Sequence, residues 1–425
     1  MLRLESARLI AGLTRYAGDL GTAQDLAQDA VVAALEQWPV DGVPANPGGW
    51  LMTVAKRRAV DLYRRDQRLQ DKYAVLARDQ AATGNSVAPD FDAAFSEDID
   101  DDVLRLAFIA CHPVLAMPAR VALTLRLLGG LSTAEIARGY LTSEPTIAQR
   151  IVRAKKTLAQ ARVPFELPAV AERAGRLGSV LEVVYLIFNE GYSATAGSDW
   201  MRPALCAQAL RLGRVLAGLM PDEAEVHALV ALMEIQASRS GARTDPAGEP
   251  ILLLDQDRSR WDRLLINRGL AALARAEQLG AARGPYALQA AIAACHARAF
   301  RPEETDWPRI ALLYGVLGEL WPSPVVELNR AVAVSMAAGP AAGLALVDEL
   351  ERAGELARYH LLPSVRGDLL MKLDRPAQAC AEFERAAGLT RNERERTMCL
   401  RRASAARQAA ERGPTGRPAD DRGAG

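Results

Sequence analysis

Nowhere does this chain alternate β-branched and polar residues for the length of a strand; Ala, Leu, Arg and Glu dominate instead. Strands need a period of two, whereas these residues lose little freedom in a helix and recur here at spacings of three and four. The predicted fold class is therefore all-α. At roughly 100–200 residues per domain, 425 residues imply two to four domains. An apolar half of the chain (50%) excludes wholesale disorder.

Charge and cysteine usage exclude several function classes. Lys plus Arg number 52 and Asp plus Glu number 52, so a uniform basic coat is absent and only local patches can attract nucleic acid. Five cysteines (Cys111, Cys206, Cys295, Cys380, Cys399) and four histidines (His112, His227, His296, His360) are scattered without a CxxC pair. That spacing suits neither a disulfide framework nor a structural zinc site, so no metal or cofactor is expected. No GxGxxG, P-loop or HExxH string occurs, and neighbours such as Cys111-His112 or Cys295-His296 point about 100° apart on a helix. The expectation is that the protein is not an enzyme. Apolar stretches are interrupted by charge before the ~18 residues a membrane helix needs, and the N-terminus mixes charge signs without the apolar run of a signal peptide. A cytoplasmic protein with no membrane partner is expected.

Punctuation divides the chain. Residues 79–102 collect Gly84, Asn85, Ser86, Pro89 and then Glu97, Asp98, Asp100, Asp101 and Asp102, the composition of an acidic flexible linker. Pro164 and Pro168 bracket a shorter break, and from Gly413 the composition cannot pack. The predicted organisation is 1–75, a linker 76–102, 103–163, a connector 164–176, a helical extension 177–410 and a disordered tail 411–425.

In the first segment, Ala27, Val31, Ala34, Leu35 and Trp38 mark an inward helix face, with Asp25, Gln28, Asp29 and Glu36 outside it. Pro39, Pro44 and Pro47 predict a loop. A second helix, about Gly49 to Arg68, turns Leu51, Val54, Ala55 and Leu62 inward and carries Lys56, Arg57, Arg58, Arg64, Arg65 and Arg68. A solvated surface helix has the same look. In the next segment, Ser132 with Glu135 reads as a capping box opening a short helix to Tyr140. After the turn Leu141-Thr142-Ser143, Ser143 caps a longer helix with Pro145 in its first turn. Ile147, Ile151, Ala154 and Leu158 face inward, and Thr146, Gln149, Arg150 and Arg153 outward. This is a helix-turn-helix pattern whose outer residues can donate to base edges and phosphates; an ordinary charged helical hairpin shares it.

Asp25-Leu-Ala-Gln-Asp29, then Trp50-Leu-Met-Thr-Val-Ala-Lys-Arg-Arg-Ala-Val-Asp-Leu-Tyr-Arg-Arg65, then Leu131 to Leu158 stand in an order that resembles an extracytoplasmic-function sigma factor of bacterial RNA polymerase. A departure is Arg57, where many relatives carry Asn. The resemblance implies that Asp25, Gln28 and Asp29 dock on core RNA polymerase. It assigns Asn46, Lys56, Arg57, Arg58, Arg64 and Arg65 to promoter DNA at the −10 element, where a basic groove favours a melted strand. Trp50 could stack on a base or lie in the core. The −35 element would be read by Thr146, Gln149, Arg150 and Arg153, with Lys155 and Lys156 on phosphates. A free-standing helix-turn-helix regulator with a sensor domain is the alternative; the acidic-then-basic order of the first segment argues against it.

The extension exceeds what a minimal sigma factor needs. Leu370, Ala379, Phe383 and Ala386 lie 3, 12, 16 and 19 residues after Gly367, matching packing positions of a tetratricopeptide repeat of period about 34. Asn329–Met336, Gly339-Pro340 and Ala342–Leu346 look like a preceding helix pair, and the array is expected to be irregular, of the kind that holds peptides or partner proteins. Two strings stand out: Phe188–Thr195 and Asp255–Asp262. Locally they read as a helix end with Gly191 as C-cap and a helix start favoured by Asp residues. Both, with Cys111-His112-Pro113, also resemble signatures of the sigma subgroup with a long C-terminal helical-repeat extension, thought to replace a separate anti-sigma factor. That resemblance implies a regulatory module, with Asn189, Glu190, Tyr192, Asp257, Arg258 and Trp261 at an intramolecular or protein-partner interface.

Overall fold

The computed structural model describes residues 2–17, 19–76, 99–140, 142–281 and 283–412. The acidic stretch 77–98, Leu141 of the turn, the tail from Gly413 and the side chain of Arg65 lie outside the described residues. The chain is all-α and forms two compact units, Met1–Ile187 and Phe188 onward.

The first unit holds α1 (Leu2–Ala17), α2 (Leu20–Asp41), α3 (Pro47–Leu76), α4 (Ile99–Ala110), α5 (Met117–Leu127), α6 (Thr133–Gly139) and α7 (Glu144–Gln160), and α8 (Val170–Tyr192) carries the chain out of it. Asp19 caps α2, accepting from the Thr22 amide at 2.7 Å. The buried stripe of α2 differs in phase from the predicted one. Leu20, Ala23, Leu26, Ala27, Ala30, Ala33 and Ala34 are inside, while Leu35 is 61% exposed. Alanines pack closely against α1 and α3, and the larger side chain is left outside. Pro39 does not end α2; the helix runs on to Asp41, since one missing amide in an exposed last turn costs little. In α3, Leu51, Ala55 and Ala59 are buried but Leu62 is 43% exposed.

Helix α4 takes in residues expected to be linker. Asp102 is 1% exposed and is held by Arg105 at 2.5 Å and Arg15 of α1 at 3.5 Å. Val103, Leu104 and Leu106 bury their side chains beside it. The Cys111-His112-Pro113 string is the turn between α4 and α5. His112 Nδ1 accepts from the Val114 amide, and Arg120 donates to the carbonyls of Leu115 and Pro113. The turn is also where α8 attaches: Ser179 Oγ donates to the Cys111 carbonyl at 2.9 Å and Arg176 to the Phe108 carbonyl at 3.1 Å.

The second unit packs helices largely against their neighbours along the chain: α9 (Pro203–Leu219), α10 (Ala224–Ala237), α11 (Arg263–Gln278), α12 (Pro285–Arg298), α13 (Trp307–Leu320), α14 (Pro324–Ala338), α15 (Pro340–Ala353), α16 (Leu361–Lys372), α17 (Pro376–Leu389) and α18 (Glu393–Arg412). Gly367, Leu370, Ala379, Phe383 and Ala386 are all buried where α16 meets α17. A Cβ on Gly367 would lie 2.6 Å from Phe383 Cε1, which is why this position needs glycine. The turns at Gly339 and Asp374 both take positive φ, +98° and +56°.

A two-residue parallel pairing, β1 (Ala196–Gly197) with β2 (Arg391–Asn392), ties the beginning of this unit to its end. The fully buried Asn392 makes that tie: its Nδ2 donates to the carbonyls of Ala194 and Asp199, and its Oδ1 accepts from the amides of Arg394 and Glu395. Gly191 is not the predicted left-handed cap. α8 continues through it to Tyr192, and a Cβ there would lie 2.5 Å from the Cys206 amide nitrogen, so the glycine admits α9.

Candidate nucleic-acid interface

Helix α2 presents Asp25, Gln28 and Asp29 to solvent on the face opposite its alanine stripe. Val32 (43% exposed) and Leu35 (61%) continue that face at helical spacing. Two large apolar side chains beside two carboxylates, uncovered by this unit, make a surface suited to a protein partner. Sequence pattern missed their part because apolar residues at helical spacing read as core. Gln28 also accepts from Arg126 of α5 at 3.2 Å, and Asp29 pairs with Arg58 of α3 at 3.2 Å.

The basic helix α3 starts at a cap made by Asn46, whose Oδ1 accepts from the Gly49 amide at 2.9 Å. Arg57 and Arg64 are exposed; Lys56 and Arg58 are half-buried. Trp50 packs edge-on to Trp38, ring centroids 5.5 Å apart, which places it in a half-buried aromatic pair. Of the residues assigned to a basic groove, Asn46 is thus a backbone cap and Arg58 an ion-pair partner, while Arg57 and Arg64 are the outward cations.

The hairpin α6–α7 has the caps its sequence predicts. Ser132 Oγ receives the Glu135 amide at 3.2 Å, while Glu135 Oε2 accepts from the Ser132 amide at 2.8 Å. Ser143 Oγ receives the Thr146 amide at 3.3 Å. Thr133 Oγ1 donates to Glu144 Oε1 at 2.8 Å and joins the two helices. Ile147, Ile151, Ala154 and Leu158 are buried; Thr146, Gln149, Arg153 and Lys156 are exposed and Arg150 is half-buried. Lys155 is set apart. Burial pushes its ammonium below the usual lysine range, and the carboxylates of Asp25 and Asp19 act against that shift. A cleft lined by Ser6, Ile10, Gln24, Gln28, Val31 and Arg126 lies where α1 and α2 meet α5.

In the second unit, Glu190 pairs with Arg202 and accepts from Thr195 Oγ1 at 2.9 Å, and the Asn189 carbonyl accepts from the Ser193 amide. Tyr192 lies under the Arg243 guanidinium at 3.5 Å. Asp257 accepts from Ser259 at the head of a short 3-10 turn, and Asp262 caps α11. Arg258 is 4% exposed and donates to the carbonyls of His296 and Ala299 and to Thr305 Oγ1; Trp261 is 3% exposed. Both side chains belong to the interior of this unit, and the half-buried or exposed Asn189, Glu190, Tyr192 and Asp257 lie nearer its surface. Burial pushes the Cys111 thiol up to about 11 and the His296 ring down to about 3. Among the described residues no group of three or more His, Cys, Asp or Glu could hold a metal ion, and no helix is long and apolar enough to cross a membrane.

Comparison with known proteins matches three stretches of this chain to families. The family model described as Sigma-70 region 2 matches residues 2–69, and Sigma-70, region 4 matches residues 105–158. A family of unknown function (DUF6596) matches residues 176–277. An uncharacterized protein of Rhizobium meliloti (strain 1021) is 43% identical over 405 residues, 93% of this chain and 92% of that protein. The ECF RNA polymerase sigma factor SigL of Mycobacterium tuberculosis is 29% identical over 153 residues, 35% of this chain and 81% of SigL. The crystal structure of yeast Tom70 overlaps 92% of this chain and 81% of its own at a TM-score of 0.38 and 11% identity, too loose a likeness to argue from.

Proposed function

This chain belongs to the sigma-70 family, as an extracytoplasmic-function sigma factor with a C-terminal extension, and from that premise we propose that it binds core RNA polymerase and directs initiation at its own set of promoters in the cytoplasm. One observation carries the reading: an uncovered acidic and apolar face on α2, a basic helix α3 and a doubly capped helix-turn-helix stand in series on one chain. A free-standing regulator needs only the last of these.

The roles follow from placement. Asp25, Gln28 and Asp29, with Val32 and Leu35, dock on core polymerase. Arg57, Arg64, Lys56, Arg58, Arg65 and Asn46 attend the −10 element, where cations favour the single strand that opening exposes. Thr146, Gln149, Arg150 and Arg153 read the −35 element and Lys156 meets phosphate. Lys155, half-buried and in the field of Asp25, serves that role less freely than Lys156. The organisation we infer is region 2 in 1–75, a linker in 76–102 whose last four residues already belong to α4, region 4 in 103–163, a connector in 164–176 that includes the start of α8, the regulatory extension in 177–410 and a tail in 411–425. Within the extension, Asn189, Glu190, Tyr192 and Asp257 offer the interface, which Arg258 and Trp261 support from inside.

The test is direct binding of the full chain to purified core polymerase. Replacing Asp25 and Asp29 together by Ala should weaken binding about tenfold or more while leaving the helical circular dichroism unchanged. Arg126→Ala, which releases Gln28, should bind no more weakly than the parent. Undiminished binding by the Asp25/Asp29 variant would remove the docking assignment.

A further inference from the structure

The second unit buries arginines without giving them carboxylates. Arg243 is 7% exposed and Arg258 4%, and Arg239 is half-buried beside them. Aromatic rings link the three. Tyr192 lies 3.5 Å from the Arg243 guanidinium and 5.7 Å from that of Arg239. Trp261 lies 5.9 Å from Arg239 and 5.0 Å from Arg258, and Trp200 lies 5.4 Å from Arg243.

Among the described residues, none of these three arginines has a salt-bridge partner. Glu303 and Glu304 attract Arg258 without pairing with it, Glu304 accepting from the Phe300 and Arg301 amides, and the other acids around the cluster are engaged elsewhere. Glu234 pairs with Arg214 and Arg268, Glu190 with Arg202, Glu249 with Arg394 and Arg401, and Asp257 with the Ser259 amide and hydroxyl. Arg258 is answered by the backbone, through the carbonyls of His296 and Ala299 at the C-terminal end of α12, where a helix favours a cation. Arg243 has the Tyr192 carbonyl. Arg239 has only its two rings.

Unmet donors collect at the same place. Arg239 Nε, Arg258 Nε, Trp261 Nε1 and Trp200 Nε1 are buried with no hydrogen-bond partner. His296 Nδ1 is also unpartnered, on a ring that burial and the neighbouring Arg239 and Arg258 keep neutral, and it adds a donor only in its Nδ1–H tautomer. Trp261, Arg258 and His296 are each more than nine-tenths buried. Buried cations and buried N–H groups without acceptors are both costly, and native interiors leave few of them unanswered. One oxyanion would answer both deficits.

We propose that the Arg239–Arg243 cluster, walled by Tyr192, Trp200 and Trp261, is a binding site for a phosphate group, free or carried by a small metabolite. Several guanidinium groups favour a dianion over a singly charged carboxylate. A guanidinium stacked on an aromatic face keeps its N–H edge clear for paired bonds to anionic oxygen. The half-buried Arg239 is the point of entry. Such a site would give the extension a chemical signal to sense; that consequence rests on the transcription reading above, whereas binding itself does not.

The test is calorimetric titration of the full chain at fixed ionic strength with inorganic phosphate, ribose 5-phosphate and acetate, paralleled by tryptophan fluorescence. Saturable binding at one site is expected, with acetate at least about tenfold weaker. Equal affinity for the two phosphates identifies the free anion as ligand, and tighter binding of the ester a phosphorylated metabolite. Arg239→Gln should lose about tenfold or more in affinity with an unchanged thermal midpoint in the absence of ligand, since this side chain touches only rings. No saturable binding of either phosphate, or equal affinity in Arg239→Gln, would overturn the proposal. Polymerase is absent from these titrations, so they can fail without touching the sigma-factor reading.

Discussion

Replacing Arg258 by Ala tests whether the Asp255–Asp262 string is built into the extension or reserved for a partner. The side chain is 4% exposed and donates at 3.0 Å to the His296 carbonyl, 2.9 Å to the Ala299 carbonyl and 3.0 Å to Thr305 Oγ1. Truncation leaves two buried carbonyls without donors, at about 1–3 kcal/mol each. The lost packing around Trp261 adds to that cost. The loss is offset in part, because burial already holds this guanidinium below its ordinary range and its desolvation is relieved. A net cost of about 3 kcal/mol follows. For a unit of 150–250 residues that lowers the thermal midpoint by roughly 6–12 °C, at about 2–4 °C per kcal/mol. Thermal unfolding of the full chain followed by tryptophan fluorescence measures it, since Trp200, Trp261, Trp307 and Trp321 all lie in the second unit. Arg258→Lys, which keeps the charge but cannot fork to three acceptors, should fall between parent and Ala. A midpoint within about 2 °C of the parent in the Ala variant would refute the internal role and return Arg258 to a partner surface.

Two further outcomes follow from the packing and the caps. Gly367→Ala drives a methyl to 2.6 Å from Phe383 Cε1 and should cost about 1–3 kcal/mol, read as a lower urea midpoint; a neutral substitution would mean that α16 and α17 do not meet as described. Burial alone would raise the Asp19 carboxyl, but hydrogen bonds from Thr22 and Gly21 and the charge of Lys155 outweigh it and hold the pKa below the usual range. The cap therefore stabilises α2 fully above the unfolded-state pKa of about 4 and loses that contribution as pH falls through the lower folded value. Asp19→Asn keeps the cap with no such titration, so stability measured from pH 7 to pH 2 should fall less in this variant; identical curves would discount the carboxylate.

Much of the first unit was legible because its signals are local. Ser132 with Glu135 and Ser143 with Thr146 cap helices within three residues, and Ile147, Ile151, Ala154 and Leu158 keep one helical phase. The pairing of Gly367 with Phe383 was legible for a related reason: a repeat packs its helix pair by fixed offsets. What failed depended on size or on distance along the chain. Helix α2 buries alanines and exposes Leu35, a choice hydrophobicity alone gets wrong because Ala is neutral and Leu is not. Asp102 looked like linker until Arg15, 87 positions away, supplied a charge for it. The burial of Arg258 and Trp261 had no local signal, because the groups that cover them, the His296 carbonyl and Arg239 among them, lie far along the chain. The arginine cluster was illegible altogether, since Tyr192, Arg239, Arg243 and Trp261 form no motif until folding brings them together.

Run-off transcription tests the central claim most directly: purified core polymerase, DNA from upstream of this protein's own gene, and the full chain added or withheld. A discrete transcript that appears only with the added chain, and is lost when Asp25 and Asp29 are both replaced by Ala, is the predicted result. No transcript, together with no binding to core polymerase in the same samples, would contradict it.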